Sequence, residues 1–116
     1  MAFEWITYKG KRILLGRTHG IAEEEARLVA IEEIKQEILR HRGQPRSVLF
    51  MNCSDGLLSE RLTAKWKELS AETQDTTKAC AVVGLSFFAR SFARLISRGI
   101  YFASDEEDAK DWLVRQ

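Results

Sequence analysis

The chain has 116 residues, of which 45% are hydrophobic and 30% are charged, a balance that fits one compact domain with its own core. The 18 Lys and Arg residues nearly match the 17 Asp and Glu residues, for a net charge of +1, which argues against a dedicated nucleic-acid binder. No apolar stretch has the length that crosses a bilayer or the pattern of a secretory signal. The two cysteines, Cys53 and Cys80, lack the spacing of a zinc site. We therefore predict a single cytoplasmic domain spanning residues 1–116, with no metal and no cofactor.

Two strand-like segments open the chain, Phe3 to Tyr8 and Ile13 to Arg17. The connection between them contains Gly10, which suits a tight turn, so the pair is predicted to form a β-hairpin. Apolar residues then recur at three- and four-residue spacings, which predicts a helix from Ile21 to Arg42. An acidic first turn and a basic last turn suit its dipole, and Gly43 is predicted to cap its end.

Two later segments are almost continuously apolar, Ser47 to Met51 and Cys80 to Leu85. Strands of this composition are covered on both faces, so both are predicted to be central and nearly inaccessible. Amphipathic patterns predict a second helix between them and a third helix that ends at Gly99. A short strand at Ile100 to Phe102 precedes a last helix, which is predicted to begin at a capping box formed by Ser104 and Glu107.

The predicted order of elements is β-β-α-β-α-β-α-β-α. Alternation of buried strands with amphipathic helices implies a mostly parallel sheet with right-handed crossovers. The initial hairpin adds one antiparallel strand, so the sheet is mixed. The predicted fold class is α/β, with about five strands and four helices in one domain.

Three landmarks follow one another along this order of elements. They are the turn Tyr8-Lys9-Gly10, the strand Ala81-Val82-Val83-Gly84, and Phe102 followed by Glu107, Ala109, Trp112 and Leu113. Their order and spacing resemble the STAS, or SpoIIAA-like, family of anti-sigma-factor antagonists, and most of all its small stand-alone bacterial members of unassigned function. The resemblance covers nearly the whole chain and implies a STAS-like α/β fold and a signalling role exerted through protein binding.

The resemblance gives particular interest to the turn after the third strand. In the regulatory antagonists this strand ends in Asp-Ser-Ser/Thr-Gly, and a partner kinase phosphorylates the first serine. Here Asn52 replaces the aspartate, Cys53 falls at the acceptor position, Ser54 follows it, and Asp55 is an additional residue before Gly56. Ser54 is therefore predicted to be chiefly a helix cap and a poor kinase acceptor.

Loops that follow parallel strands lie at one edge of the sheet, where ligands of such folds bind. The ligand or switch edge predicted on this basis comprises His19, Asn52, Cys53, Ser54, Asp55, Gly56 and Ser86. Three interpretations are open for these residues. They cap the following helices, with Ser54 or Asp55 capping the second helix; they surround a small anion at helix N-termini; or Cys53 and His19 form a catalytic pair.

The third predicted helix carries three arginines at four-residue spacing next to aromatic residues. The interaction face predicted there comprises Phe87, Phe88, Arg90, Arg94 and Arg98. Basic side chains beside aromatic ones suit an acidic partner, a second copy of the chain, or a membrane surface. The alternative is an ordinary amphipathic helix whose arginines are solvated.

The sequence thus predicts a non-enzymatic regulatory or adaptor domain that binds a protein partner or forms a homodimer, and that does not bind nucleic acid. The first alternative is a binder of a small amphipathic or lipid-like ligand, with peripheral membrane contact. The second alternative is a hydrolase-type enzyme that uses Cys53 and His19.

Overall fold

The computed structural model describes residues 2–18, 21, 23–51, 59–84, 90–91, 93–94 and 99–116. Within these residues the chain forms a five-stranded sheet and three helices. The strands are β1 (Phe3–Tyr8), β2 (Lys11–Arg17), β3 (Arg46–Met51), β4 (Thr77–Val83) and β5 (Tyr101–Ala103). The helices are α1 (Glu24–Leu39), α2 (Glu60–Thr73) and α3 (Glu106–Val114).

The strands follow one another across the sheet in sequence order, β1-β2-β3-β4-β5. The pair β1–β2 is antiparallel, and every other neighbouring pair is parallel, which confirms the predicted mixed α/β sheet. The hairpin turn consists of Lys9 and Gly10, whose φ angles of 50° and 80° are both positive. A two-residue type I′ turn requires this combination, and its twist matches that of the flanking strands.

The helices are distributed over both faces of the sheet. The parallel strands advance across the sheet in one direction, so connections of the same hand lie on the same face. Accordingly, α1 and α2 cover one face, and the core on that side includes Leu14, Ile34, Val48, Leu62 and Val82. Helix α3 follows the last strand and covers the opposite face, where the core includes Leu15, Leu49, Ala81, Ala109 and Leu113.

The third strand is the centre of the sheet, as its apolar sequence predicted. Val48, Leu49 and Phe50 are all buried because β3 has a strand on either side and helices over both faces. Strand β4 is also internal, but it begins at Thr77, three residues before the predicted start. It ends at Val83, and the following Gly84 has a φ of 83°.

The limits of α1 differ from the prediction. The helix begins at Glu24 and ends at Leu39, so the basic residues 40–42 follow its last turn. Its C-cap is Arg40 in a right-handed conformation, and Gly43 is not among the residues with positive φ. The prediction that Gly43 caps α1 is therefore wrong; turns connect the helix to β3.

Both side-chain N-caps among the described residues differ from those predicted. Ser59 caps α2 by accepting a hydrogen bond from the backbone N–H of Leu62 at 3.2 Å, so the prediction that Ser54 or Asp55 caps this helix is wrong. Asp105 caps α3 by accepting from the N–H of Asp108 at 2.8 Å. The N-cap thus lies one residue after the predicted Ser104, because Asp is as good an N-cap as Ser and local sequence does not choose between adjacent candidates. The predicted reach of Glu107 back to residue 104 is replaced by Asp108, which accepts a hydrogen bond from the N–H of Ser104.

We expect Asp105→Ala to lower the free energy of unfolding by about 1 kcal/mol, because an N–H in the first turn of α3 loses its acceptor. Glu107→Ala is the matched control, since it removes an exposed carboxylate from the same turn. Chemical denaturation of both variants measures the difference. A larger loss for Glu107→Ala would restore the displaced capping box.

The third predicted helix, which carries the arginines, lies mostly outside the described residues. Arg90, Ser91, Ala93 and Arg94 have helical conformation. The part of the chain that the structure describes therefore contains three complete helices rather than the four predicted.

Candidate functional site

The carboxyl ends of four parallel strands form one edge of the sheet. Strands β2, β3, β4 and β5 run in the same direction, so the loops after residues 17, 51, 83 and 103 all leave from this edge. The residues predicted to form the ligand or switch edge lie outside the described part of the chain: His19, Asn52, Cys53, Ser54, Asp55, Gly56 and Ser86. Their convergence on a ligand, and a Cys53–His19 pair, stay predictions.

Thr18 is the described residue that follows β2 at this edge. Its side chain is 1% exposed, and its hydroxyl oxygen Oγ1 is buried without a hydrogen-bond partner. Such a group costs about 1–3 kcal/mol relative to one that is paired. Sequence reasoning missed Thr18, because nothing in the local pattern distinguishes it from an ordinary loop threonine.

The loop after β5 is closed by its own hydrogen bonds. Asp108 accepts bonds from the backbone N–H of Ser104 at 3.0 Å and from the hydroxyl of Tyr101 at 2.9 Å. The bond from Ser104, followed by that from Tyr101, lowers the pKa of Asp108, while the same carboxylate raises the pKa of Tyr101. These side chains are occupied in starting α3, so this corner of the edge has a structural role.

Two arginines of the predicted interaction face pack on one aromatic ring. The guanidinium carbon Cζ of Arg90 lies 5.8 Å from the ring centroid of Phe102, and that of Arg94 lies 5.0 Å from it. Arg94 is exposed and Arg90 is half-buried, and the Nε of Arg90 is buried without a hydrogen-bond partner. Both guanidinium groups thus lie over the same ring, while the interaction face as a whole stays a prediction, because Phe87, Phe88 and Arg98 lie outside the described residues.

Phe102 is the residue of this surface that sequence reasoning missed. It pairs with Val82 across β4 and β5, and Val82 belongs to the core under α1 and α2. Because side chains alternate between the faces of a sheet, Phe102 lies on that same side. A cation over an aromatic ring contributes about 0.5–1 kcal/mol at exposed sites, so the arginines are not plain solvated charges, and replacing Arg90 is expected to affect the fold.

Ion pairs fasten α1 to α2 on the same face of the sheet. The amino group of Lys35, on a side chain only 7% exposed, lies 2.8 Å from Glu68, 3.1 Å from Glu32 and 3.4 Å from Glu72. Lys65 contacts Glu32 and Glu68 as well. The pKa of Glu32 is lowered to about 2, chiefly by a hydrogen bond from Lys65. The pKa of Lys35 is raised, chiefly by its hydrogen bond to Glu68. This cluster pairs two lysines with three carboxylates and joins two helices.

A second polar cluster connects β1 with the end of α1. The indole Nε1 of Trp5 donates to Glu37 at 2.6 Å, and Arg40 donates to the same carboxylate at 3.0 Å. Burial alone would raise the pKa of Glu37, but these bonds outweigh it and lower that pKa. The Trp5 ring also contacts His41 edge to face at 4.8 Å and lies 4.8 Å from the guanidinium of Arg12. Trp5 thus has three side-chain partners, from β2, from α1 and from the turn after α1.

A shallow groove of about 520 Å³ runs between β1 and the outer flank of α1. The residues that line it are Phe3, Val29, Glu32, Glu33, Gln36, Glu37 and Arg40. Val29 is 58% exposed, and among the described residues it is the large apolar side chain that faces solvent. The groove therefore combines an apolar floor with charges of both signs.

Among the described residues, no group of three or more His, Cys, Asp or Glu side chains is arranged to hold a metal ion. No helix in the described ranges is long and apolar enough to cross a membrane. Comparisons with protein-family profiles, curated proteins and solved structures found no match. The STAS-like assignment consequently stays an inference from the sequence landmarks.

Proposed function

We propose that this protein is a non-enzymatic, STAS-like regulatory or adaptor domain of the cytoplasm that acts by binding another protein. The observation that carries the proposal is the placement of Arg90 and Arg94 over the single ring of Phe102. Two cationic groups fixed on one aromatic residue form a surface suited to an acidic segment of a partner. We name this surface, formed by Arg90, Arg94 and Phe102, the arginine surface.

The chemistry of guanidinium groups favours this use. Arginine presents a planar set of donors that matches a carboxylate in a bidentate arrangement, and stacking on a ring limits the conformations lost on binding. Arg94 has no ion pair among the described residues, although many other charged side chains do, including Lys35 and Arg61. The donors of Arg94 are therefore available for an acidic partner.

The layout of the sheet supports the STAS-like part of the proposal. An antiparallel hairpin followed by parallel strands in sequence order, with α1 and α2 on one face and α3 on the other, agrees with the order of elements on which the resemblance rests. Fold and function are separable, so the binding role depends on the arginine surface.

The test is quantitative affinity capture from the cells that naturally make the protein, with wild type and the Arg94→Glu variant compared by mass spectrometry. We expect wild type to retain a specific acidic protein and the variant to retain at least about tenfold less, because like charges across an interface are repelled. Arg42→Glu is the matched control, since Arg42 is an exposed arginine in the turns after α1. Equal capture by all three proteins would remove the arginine surface from the interface.

Each competing prediction has its own test. A small amphipathic molecule retained in a native mass spectrum of the purified protein would favour the lipid-like ligand. A substrate turned over by wild type and not by Cys53→Ser would favour the hydrolase-type enzyme.

A further inference from the structure

The first strand has an edge that no other strand of this sheet covers. Strand β1 is the outermost strand and pairs with β2 in a continuous register over six residues. The carbonyl of Ala2 accepts a hydrogen bond from the N–H of Arg17 at 2.8 Å. Because bonding to an antiparallel neighbour alternates along a strand, Phe3, Trp5 and Thr7 direct their N–H and C=O groups away from β2.

Strand β1 lacks most of the features that usually prevent edge pairing. It contains no proline, no lysine and no bulge, and three of its six residues are aromatic. Its one charged residue, Glu4, is paired with Arg17 of the neighbouring strand. Sheets normally protect such an edge with short strands, charges or a covering segment; the other edge strand, β5, has only three residues. A long, regular and apolar edge strand favours pairing with another strand.

The flank of α1 beside this edge has charges that complement their own copy. Helix α1 runs in the same direction as β1, because β1 is antiparallel to β2 and a helix that connects two parallel strands runs opposite to them. Glu33 and Arg40 both line the groove on this flank and both are exposed, and Arg40 also pairs with Glu37 of its own copy. A twofold axis at the level of residues 36 and 37 places Glu33 of each copy opposite Arg40 of the other.

The same twofold axis also allows two copies of β1 to pair antiparallel. Trp5 contacts Glu37 and also His41, just beyond the end of α1, so it lies within about one helical turn of that level. Antiparallel pairing about Trp5 sets Phe3 opposite Thr7 of the second copy, which joins the two outward-directed edges through about six backbone hydrogen bonds. Opposite charges on the helix flanks and unpaired groups on the strands are thus brought together by a single twofold arrangement.

We infer that the protein forms a twofold-symmetric homodimer in which two β1 strands pair antiparallel and extend the sheet across both copies. Such a contact is isologous and closed, so it stops at two copies. This contact uses the β1 edge, whereas the arginine surface lies beside β5 at the other end of the sheet, so either can fail without the other.

The first test changes one backbone donor at the edge. Thr7→Pro removes an outward N–H without removing a bond to β2, and proline is tolerated at such edge positions; Thr7→Val is the control that keeps the donor. Sedimentation equilibrium is expected to show a dimer for wild type and Thr7→Val, and a monomer for Thr7→Pro with an unchanged circular dichroism spectrum. A monomeric wild type, or a folded Thr7→Pro variant that is still dimeric, would overturn the inference.

The second test depends on side chains alone and decides the matter if Thr7→Pro does not fold. Glu33→Arg and Arg40→Glu each place like charges across the axis, and each is expected to weaken dimerisation by about tenfold. The double variant restores opposite charges and is expected to dimerise as wild type does. Single variants that dimerise as tightly as wild type, or a double variant that is not rescued, would contradict the proposed axis.

Discussion

Replacing Leu49 by alanine is expected to lower the free energy of unfolding by about 3 kcal/mol. Leu49 is 0% exposed in the middle of β3, and its side chain belongs to the core between the sheet and α3, with Ala81 and Leu113. A strand bounded by two others cannot move to fill the space, so the loss combines transfer energy with a cavity.

Urea unfolding followed by circular dichroism measures this effect. The control is Lys67→Ala on the exposed side of α2, for which a change within about 0.5 kcal/mol is expected. A loss below about 1 kcal/mol for Leu49→Ala would contradict the central position of β3 in the core.

Replacing Lys35 by methionine is expected to have the second-largest effect, a loss of about 2 kcal/mol at neutral pH. The methionine keeps most of the buried side-chain volume but leaves Glu32, Glu68 and Glu72 close together without this cation. The expected loss is smaller than for a fully buried pair, because the three carboxylates are 37%, 41% and 47% exposed and solvent screens them.

This variant should also change the dependence of stability on pH. The folded-state pKa of Glu32 is lowered to about 2 from its ordinary value of 4.5, and hydrogen bonds from Lys35 and then Lys65 lower that of Glu68. A group whose pKa is lower in the folded state stabilises the fold above its unfolded pKa, and this stabilisation disappears as the pH falls through the folded pKa. Wild type should therefore lose stability between about pH 5 and pH 2, and Lys35→Met should lose less over the same interval.

Urea unfolding at several pH values measures this difference, with Lys67→Met as the control on the outer side of α2. If Lys35→Met proved more stable than wild type, the desolvation of the lysine would outweigh its three ion pairs. Parallel pH profiles for wild type and Lys35→Met would contradict the lowered carboxylate pKa values.

The parts of the fold that follow from local sequence were predictable. The hairpin depends on a two-residue turn containing Gly10, and β3 is recognisable because a strand buried on both faces is apolar throughout. The end of α1 and the N-cap of α3 were not predictable from local sequence, because neighbouring residues satisfy the same local rules. The burial of Lys35 was also unpredictable, because its three partners lie on two helices that only the fold brings together.

The arginine surface and the β1 edge could likewise be predicted from the sequence only in part. Helical spacing predicted Arg90 and Arg94 on one side, but their stacking on Phe102 joins residues from separate elements. The outward groups of Phe3, Trp5 and Thr7 depend on the register between β1 and β2, and the apolar pattern of β1 alone does not reveal which edge is uncovered.

The most direct measurement of the proposed function is photo-crosslinking from the arginine surface in the cells that make the protein. A photoreactive amino acid replaces Ser91, which is exposed on the helical segment next to Arg90. Neither Arg90 nor Arg94 is substituted in this variant. We predict an adduct with one other protein, absent when Arg94→Glu is combined with the crosslinker and absent when the crosslinker replaces Arg42. Adducts of equal yield at residues 91 and 42, or an adduct at residue 91 that survives Arg94→Glu, would contradict the assignment of this surface to partner binding.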